Sequence, residues 1–285
     1  MLHHIQNEAL FCAIDDFGAQ LHSIKDRATR TEVLWQGDSA IWDGQAPVLF
    51  PIVGRLRDDR FYYKGQAYTL QKHGFARESR FQLAECGGSS ASFVLESGEA
   101  TRACYPFEFA LTLTYTLEGR SLLARARVEN RGGEDMYFSI GGHPGFSCAM
   151  GDILRFDEPE TLRSEWIRED ALLAGSTYPV LEGATDIMIH EHIFDKDALI
   201  LSGIKSRHIS LVREGKPAVK FDMGGAPVLG IWAKPGAPYV CIEPWFGLND
   251  ANEVTPDISQ KRLIQRLAPG GVFEQRWAAE MVQIY

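Results

Sequence analysis

The sequence predicts an all-β protein, a large antiparallel β-sandwich. Three observations carry this: apolar residues recur with period 2 along most of the chain, turn residues punctuate them at fairly regular intervals, and helical periodicity is scarce. The 285 residues would allow two units, but sandwiches of this size often form one. No linker or shift in composition divides the chain, so residues 1–285 are expected to form a single domain.

The elements follow in order. "RFYYKGQAYTL", residues 60–70, reads as a hairpin turning at Lys64 and Gly65. "SFVLES" is a short strand. "FALTLTYTL" puts Phe109, Leu111, Leu113, Tyr115 and Leu117 on one face, and "LLARARVEN" puts Leu122, Ala124, Ala126 and Val128 opposite Leu123, Arg125, Arg127 and Glu129. The "EGRS" between them, with Gly119, makes a long hairpin with one buried face. "DMYFSIG", "ALILSG", "HISLVR", "AVKFDMG", "VLGIWA" and "YVCIEP" continue the series of strands. Residues 256–267, "PDISQKRLIQRL", are the one place where a helix is expected, with Pro256 near its first turn.

Composition is that of a globular chain with a sizeable core, 45% hydrophobic and 24% charged. The net charge of −9 disfavours nucleic acid, whose phosphates need a basic face, and an anionic membrane surface. A neutral small molecule fits this charge. The N-terminus lacks the apolar run of a signal peptide, and no stretch approaches the ~20 apolar residues of a membrane span. Five scattered cysteines without a C-x-x-C motif suggest neither a zinc ribbon nor a disulfide framework, so a cytoplasmic location is expected.

Four stretches join an ionisable residue to glycine, proline or aromatics: "FPIVGRL" with Arg55, "QKHGFARES" with His73 and Phe75, "GGHPGFS" with His143, and "CIEPWFGLND" with Glu243 and Trp245. Each also reads plainly, as a histidine in a turn or a carboxylate ending a strand. Together they say more. Glu243 follows the apolar run "YVCI", where an unpaired carboxylate is costly. Aromatic neighbours suit a sugar, whose C–H face packs on a ring while its hydroxyls need hydrogen bonds.

The segments "FGAQLHSI", "PVLFPIVGRLRDDRFYYKGQAYTLQKHGFAR", "SIGGHPGFS", "FDKDALIL" and "KPGAPYVCIEPWFGLND" resemble the aldose 1-epimerase (galactose mutarotase-like) family, and within it the LacX-like branch. The resemblance spans most of the chain. It implies a β-supersandwich, and a mutarotase that exchanges the α and β anomers of a free aldose. It implies His143 as general acid and Glu243 as general base, with His73 and Arg55 binding substrate. Asp197 is the best match to the family's binding aspartate, with Asp195 its competitor. Trp245 and Phe75 are expected to flank the sugar.

Chemically, a base must take the C1 hydroxyl proton while an acid protonates the ring oxygen. This puts His143 and Glu243 on opposite sides of the C1–O5 unit, with His143 protonated and Glu243 ionised at rest. No metal or other cofactor is called for. His190 and His192 in "HEH" could face one way on a strand, but no third ligand is visible nearby. Cys241 reads as a buried small hydrophobe, and Trp232 as core or sugar platform. The partner expected is a monosaccharide, to a monomer or homodimer. The alternatives are a hexose 6-phosphate, for which Arg55, Arg57, Arg60 and Arg77 could supply cations, and non-catalytic sugar binding. A glycosidase ranks below these, since it needs a second carboxylate.

Overall fold

The computed structural model describes residues 1–251 and 257–282. Its centre is one long antiparallel sheet. Neighbour by neighbour it runs through Val48–Leu49, Ile140–Gly142, Tyr239–Phe246, Val228–Trp232, Leu199–Ser202, Ile153–Ile167, His208–Arg213, Lys216–Asp222, Val272–Met281, Ser121–Asn130, Phe109–Glu118, Ser90–Glu96 and Gln82–Gly87. A separate sheet, Leu2–Gln6, Leu10–Asp15 and Gln20–Asp26, adds to the core. The one α-helix among the described residues is the short Glu99–Cys104, and none is long and apolar enough to cross a membrane.

Both sequence-derived hairpins are present. Leu122 pairs with Leu117 and Ala124 with Tyr115, so the alternating apolar face is buried along both strands. Lys64 and Gly65 both adopt positive φ, 51° and 78°, between Arg60–Tyr63 and Gln66–Thr69. That is the two-residue turn whose twist matches paired strands.

The helix expected over residues 256–267 does not form in the described part. A single 3-10 turn, Ile258–Gln260, is followed by the short strand Gln265–Leu267; Pro256 lies outside the described residues. Asp257 caps that turn by accepting from the Ser259 amide at 2.9 Å. Lys261 then turns inward to Asp250, Nζ to Oδ1 2.5 Å, with both side chains only 3% exposed. The other Asp250 oxygen accepts from the Arg57 amide at 3.0 Å. A buried ion pair, rather than helical periodicity, organises this segment.

The sheet positions the site where Ile140–Gly142 and Gly145–Ser147 pair in turn with Tyr239–Phe246. Gly141 pairs with Trp245, and Gly145 with Cys241. Counting inward from both sides sets His143 opposite Glu243. Ladder pairing breaks at His143 and Pro144, since proline has no N–H to give. The Pro144 carbonyl still accepts from the Ile242 amide at 3.2 Å.

Candidate functional site

A cavity of about 450 Å³ opens over this break, within the range typical of small-molecule sites. His143, Glu243, His73, Asp197 and Trp245 all line it. Residues 241, 243 and 245 alternate to the same face of their strand. Glu243 is 1% exposed and His143 8%. His143 Nε2 stands 3.3 Å from Glu243 Oε2, and the Trp245 indole N–H donates to that oxygen at 3.2 Å. The two groups therefore sit side by side on neighbouring strands, not across the width of a sugar ring as expected.

The glycines around the histidines admit close approach. A Cβ on Gly141 would lie 2.8 Å from the Trp245 ring, and one on Gly142 2.7 Å from the Trp277 ring nitrogen. In "KHGF", Gly74 has φ of 71° and runs beside Phe50, whose carbonyl oxygen would be 2.3 Å from a Cβ. No other residue fits there. The preceding His73 also has positive φ, 69°. Its Nδ1 accepts from the Gly54 amide at 3.1 Å. The neutral ring must then carry its hydrogen on Nε2, making that nitrogen a donor.

Burial sets the electrostatics. It pushes His143 down to about 3, with Lys72 and Arg77 adding to the effect. It pushes Glu243 well above the usual carboxylate range, opposed by the Trp245 hydrogen bond and by Lys72 and reinforced by Asp197. His73 is held well below the usual histidine range, again chiefly by burial. Burial thus disfavours the charged form of both groups, against the expected imidazolium and carboxylate, while the two charges 3.3 Å apart would support one another. The proton count is the same either way, since transfer between the two converts the charged pair into the neutral one.

Two expected site residues lie elsewhere. Arg55 is not among the cavity-lining residues: its Nε and an NH2 group donate to the two Asp59 oxygens, each at 2.8 Å. Phe75 packs into the core, with ring centroids 6.2 Å from Phe50 and 6.0 Å from Phe109. Of the two aspartates, Asp197 lines the cavity, whereas Asp195 lies outside it and contacts His192 Nδ1 at 3.0 Å. His190 and His192 lie outside any strand. Trp245 is nearly buried in a small apolar cluster with Leu49, Ile200, Val228 and Leu248, so it is as much core as wall.

Trp232, which the sequence left as core or sugar platform, is a wall of the cavity, and Arg77 is the one of the four candidate arginines that lines it. The sequence reading missed other wall residues. Trp42, with Trp232, cages His143, with ring centroids 5.1 Å and 5.6 Å from it. Gln20, Asp43, Lys72 and Asn249 supply polar groups. Trp42 stands in the stretch "SAIWDGQ", where a lone aromatic ahead of Asp43 and Gly44 is a faint signal of a ring held for a ligand. Among the described residues, buried Arg77 Nε and Asn249 Oδ1 have no hydrogen-bond partner.

Comparison with known proteins gives these features a setting. The family model of aldose 1-epimerase matches residues 1–168. Protein LacX of Lactococcus lactis subsp. lactis is 31% identical over 282 residues, covering 93% of this chain and 94% of its own length. The galactose mutarotase related enzyme from Lactobacillus acidophilus has a TM-score of 0.94 and 32% identity, over 99% of this chain and 98% of that one. A galactose mutarotase-like protein from Lactobacillus casei ATCC 334 gives 0.92 and 26%, over 98% and 99%. Galactose 1-epimerase from Lactobacillus acidophilus NCFM has the same fold, with a TM-score of 0.68 at 15% identity over 96% and 92%.

Proposed function

The chain belongs to the aldose 1-epimerase family, in its LacX-like branch, and from that premise we propose that it is a mutarotase exchanging the α and β anomers of a free aldose. The observation that carries this reading is the 3.3 Å contact of His143 Nε2 with Glu243 Oε2 on the floor of a cavity walled by Trp42 and Trp232. The hydroxyl oxygen on C1 and the ring oxygen O5 share one carbon. Two groups this close can reach both oxygens from one side.

In ring opening, Glu243 as base takes the proton from the C1 hydroxyl, the C1–O5 bond breaks as C1=O forms, and His143 as acid protonates O5. Rotation about C1–C2 turns the aldehyde over, and closure reverses each transfer. No atom or charge is gained. With one proton shared by the pair, the form needed for opening carries it on His143. The reaction shifts only protons and one C–O electron pair, so it asks for no redox cofactor. Each of the two groups is expected to contribute ~10²–10⁴-fold. The His73 Nε2–H donor, the Asp197 carboxylate, Arg77 and Asn249 Oδ1 would hold the remaining hydroxyls.

The test is polarimetry of freshly dissolved α-glucose and α-galactose with purified protein. A rate above buffer that Glu243→Gln abolishes supports the reading; buffer-level rates on all free aldoses refute it. One observation favours a second reading, in which the aldose carries an anionic group. Lys72 lines the cavity and has no hydrogen bond or ion pair among the described residues, and Arg77 lines it too, its Nε 3.5 Å from Glu78 but without a hydrogen bond. Comparing rates on glucose and glucose 6-phosphate separates the two.

A further inference from the structure

Cys241 has no part in the proton transfers, yet it shares their corner. Its Sγ, His143 Nε2 and a Glu243 carboxylate oxygen all lie within 4.8 Å of one another. The thiol is fully buried, two residues before Glu243 on the same strand face. We infer that these three atoms form an inhibitory site for one thiophilic divalent cation, with Zn²⁺ the best match.

The geometry is the first support. Nitrogen and oxygen ligands ~2.0–2.1 Å from zinc at tetrahedral angles lie about 3.3 Å from each other. His143 Nε2 and Glu243 Oε2 already stand 3.3 Å apart. A sulfur at ~2.3 Å from the metal belongs about 3.6 Å from each of the other two, and it now lies within 4.8 Å of both, so it has at most about 1.2 Å to close, within reach of a side-chain rotation. Three protein ligands leave a fourth position for water or a sugar hydroxyl, and two of the three, His143 and Glu243, line the cavity.

Charge is the second support. A thiolate, a carboxylate and a neutral imidazole exactly balance a dication, so the buried complex is neutral. The thiol proton and the single proton of the acid–base pair both leave to solvent. The indole N–H of Trp245 already orients the carboxylate, as outer partners of metal ligands do. Donor choice is the third. Sulfur and imidazole select zinc and its soft neighbours over magnesium or calcium, which want an all-oxygen shell. A bound cation would occupy both the base and the acid, so it would stop mutarotation rather than assist it. The inhibition, though not the binding, rests on the mutarotase reading.

The experiment titrates metal-free protein with ZnCl₂ by calorimetry and with Co²⁺ by absorbance, and measures mutarotation with and without zinc. One ion should bind, and Co²⁺ should give a thiolate charge-transfer band. Zinc should inhibit, compete with sugar, and be reversed by EDTA. Cys241→Ala, checked for folding by circular dichroism, should lose the cobalt band. Its zinc affinity should fall by about 100-fold or more, since losing even an outer partner costs ~10–100-fold, and its rate relative to its own zinc-free value should barely respond. Cys241→Ser should behave likewise if alanine does not fold. Zinc binding unchanged by both variants, or abolished by His192→Ala at the surface instead, overturns the site. If the metal-free protein shows no mutarotation at all, the mutarotase reading fails while stoichiometry and the cobalt band still decide the metal site.

Discussion

Replacing Trp245 by Phe should move the alkaline limb of the pH profile upward. The indole N–H donates to Glu243 Oε2 at 3.2 Å in a buried setting. Burial raises the Glu243 pKa, and this hydrogen bond works against it. A bond to a charged group contributes ~1.5–3 kcal/mol and one to a neutral group ~0.5–1.5. The donor thus favours ionised over protonated Glu243 by about 1–1.5 kcal/mol, which is about one pKa unit. Phenylalanine keeps the ring and deletes the donor. The sign follows: the active pair holds one proton, rising pH removes it, and without the donor that proton stays to higher pH. Log kcat/KM for α-galactose, followed by polarimetry with the buffer rate subtracted, should break about one unit higher on its alkaline side. A loss confined to packing would scale the whole profile down without moving that break. A variant with lowered rates and an unmoved break would refute the coupling of Trp245 to Glu243.

Other outcomes follow from the same geometry. Glu243→Gln and His143→Asn should each lower kcat by ~10²–10⁴-fold, and the double variant should be little worse than either, since the two act as a unit. Arg77→Ala should raise KM by about 10–100-fold, the size of one charged hydrogen bond of ~1.5–3 kcal/mol, and more than Arg55→Ala, whose guanidinium is held by Asp59. Gly230→Ala should cost ~1–3 kcal/mol in denaturant unfolding, because its Cβ would come within 2.7 Å of the Trp245 ring. Lys261→Met should cost ~3–5 kcal/mol by stranding a buried charge on Asp250, and adding Asp250→Asn should recover part of it in the same melts.

Strand content was legible where one face of a strand is buried. Phe109–Asn130 alternates cleanly, and its turn residues mark the reversal. The long hairpin of Ile153–Ile167 and Leu173–Met188 was not legible. Much of its second strand is exposed, and bulges shift its register at several points, so its side chains obey no single period. Residues 256–267 misled for the opposite reason: a charged and apolar mixture resembles an amphipathic helix when its lysine is in fact drawn into the interior. At the site, His143, His73 and Glu243 stood out through the glycines and proline beside them. Their adjacency did not, because it depends on pairing between strands 100 residues apart. Arg55 and Arg77 are equal in sequence, and the fold tells them apart: Asp59 holds Arg55 away from the cavity through two hydrogen bonds, whereas Arg77 lines it.

The interrupted ladder at His143 and Pro144 has a consequence for how such a chain can change over generations. Side-chain direction alternates strictly along a strand, so a one-residue slip turns every group to the other face. Substitutions around the cavity can adjust which sugar it holds by degrees. A single insertion or deletion between Gly141 and Gly145 has no such middle course: it either breaks the pairing that flanks His143 or carries the imidazole to the far side of the sheet from Glu243. Descendants of this chain should therefore vary freely in the lengths of the loops bearing Trp42 and Asp197, while the spacing from Gly141 to Gly145 stays fixed for as long as the activity is kept.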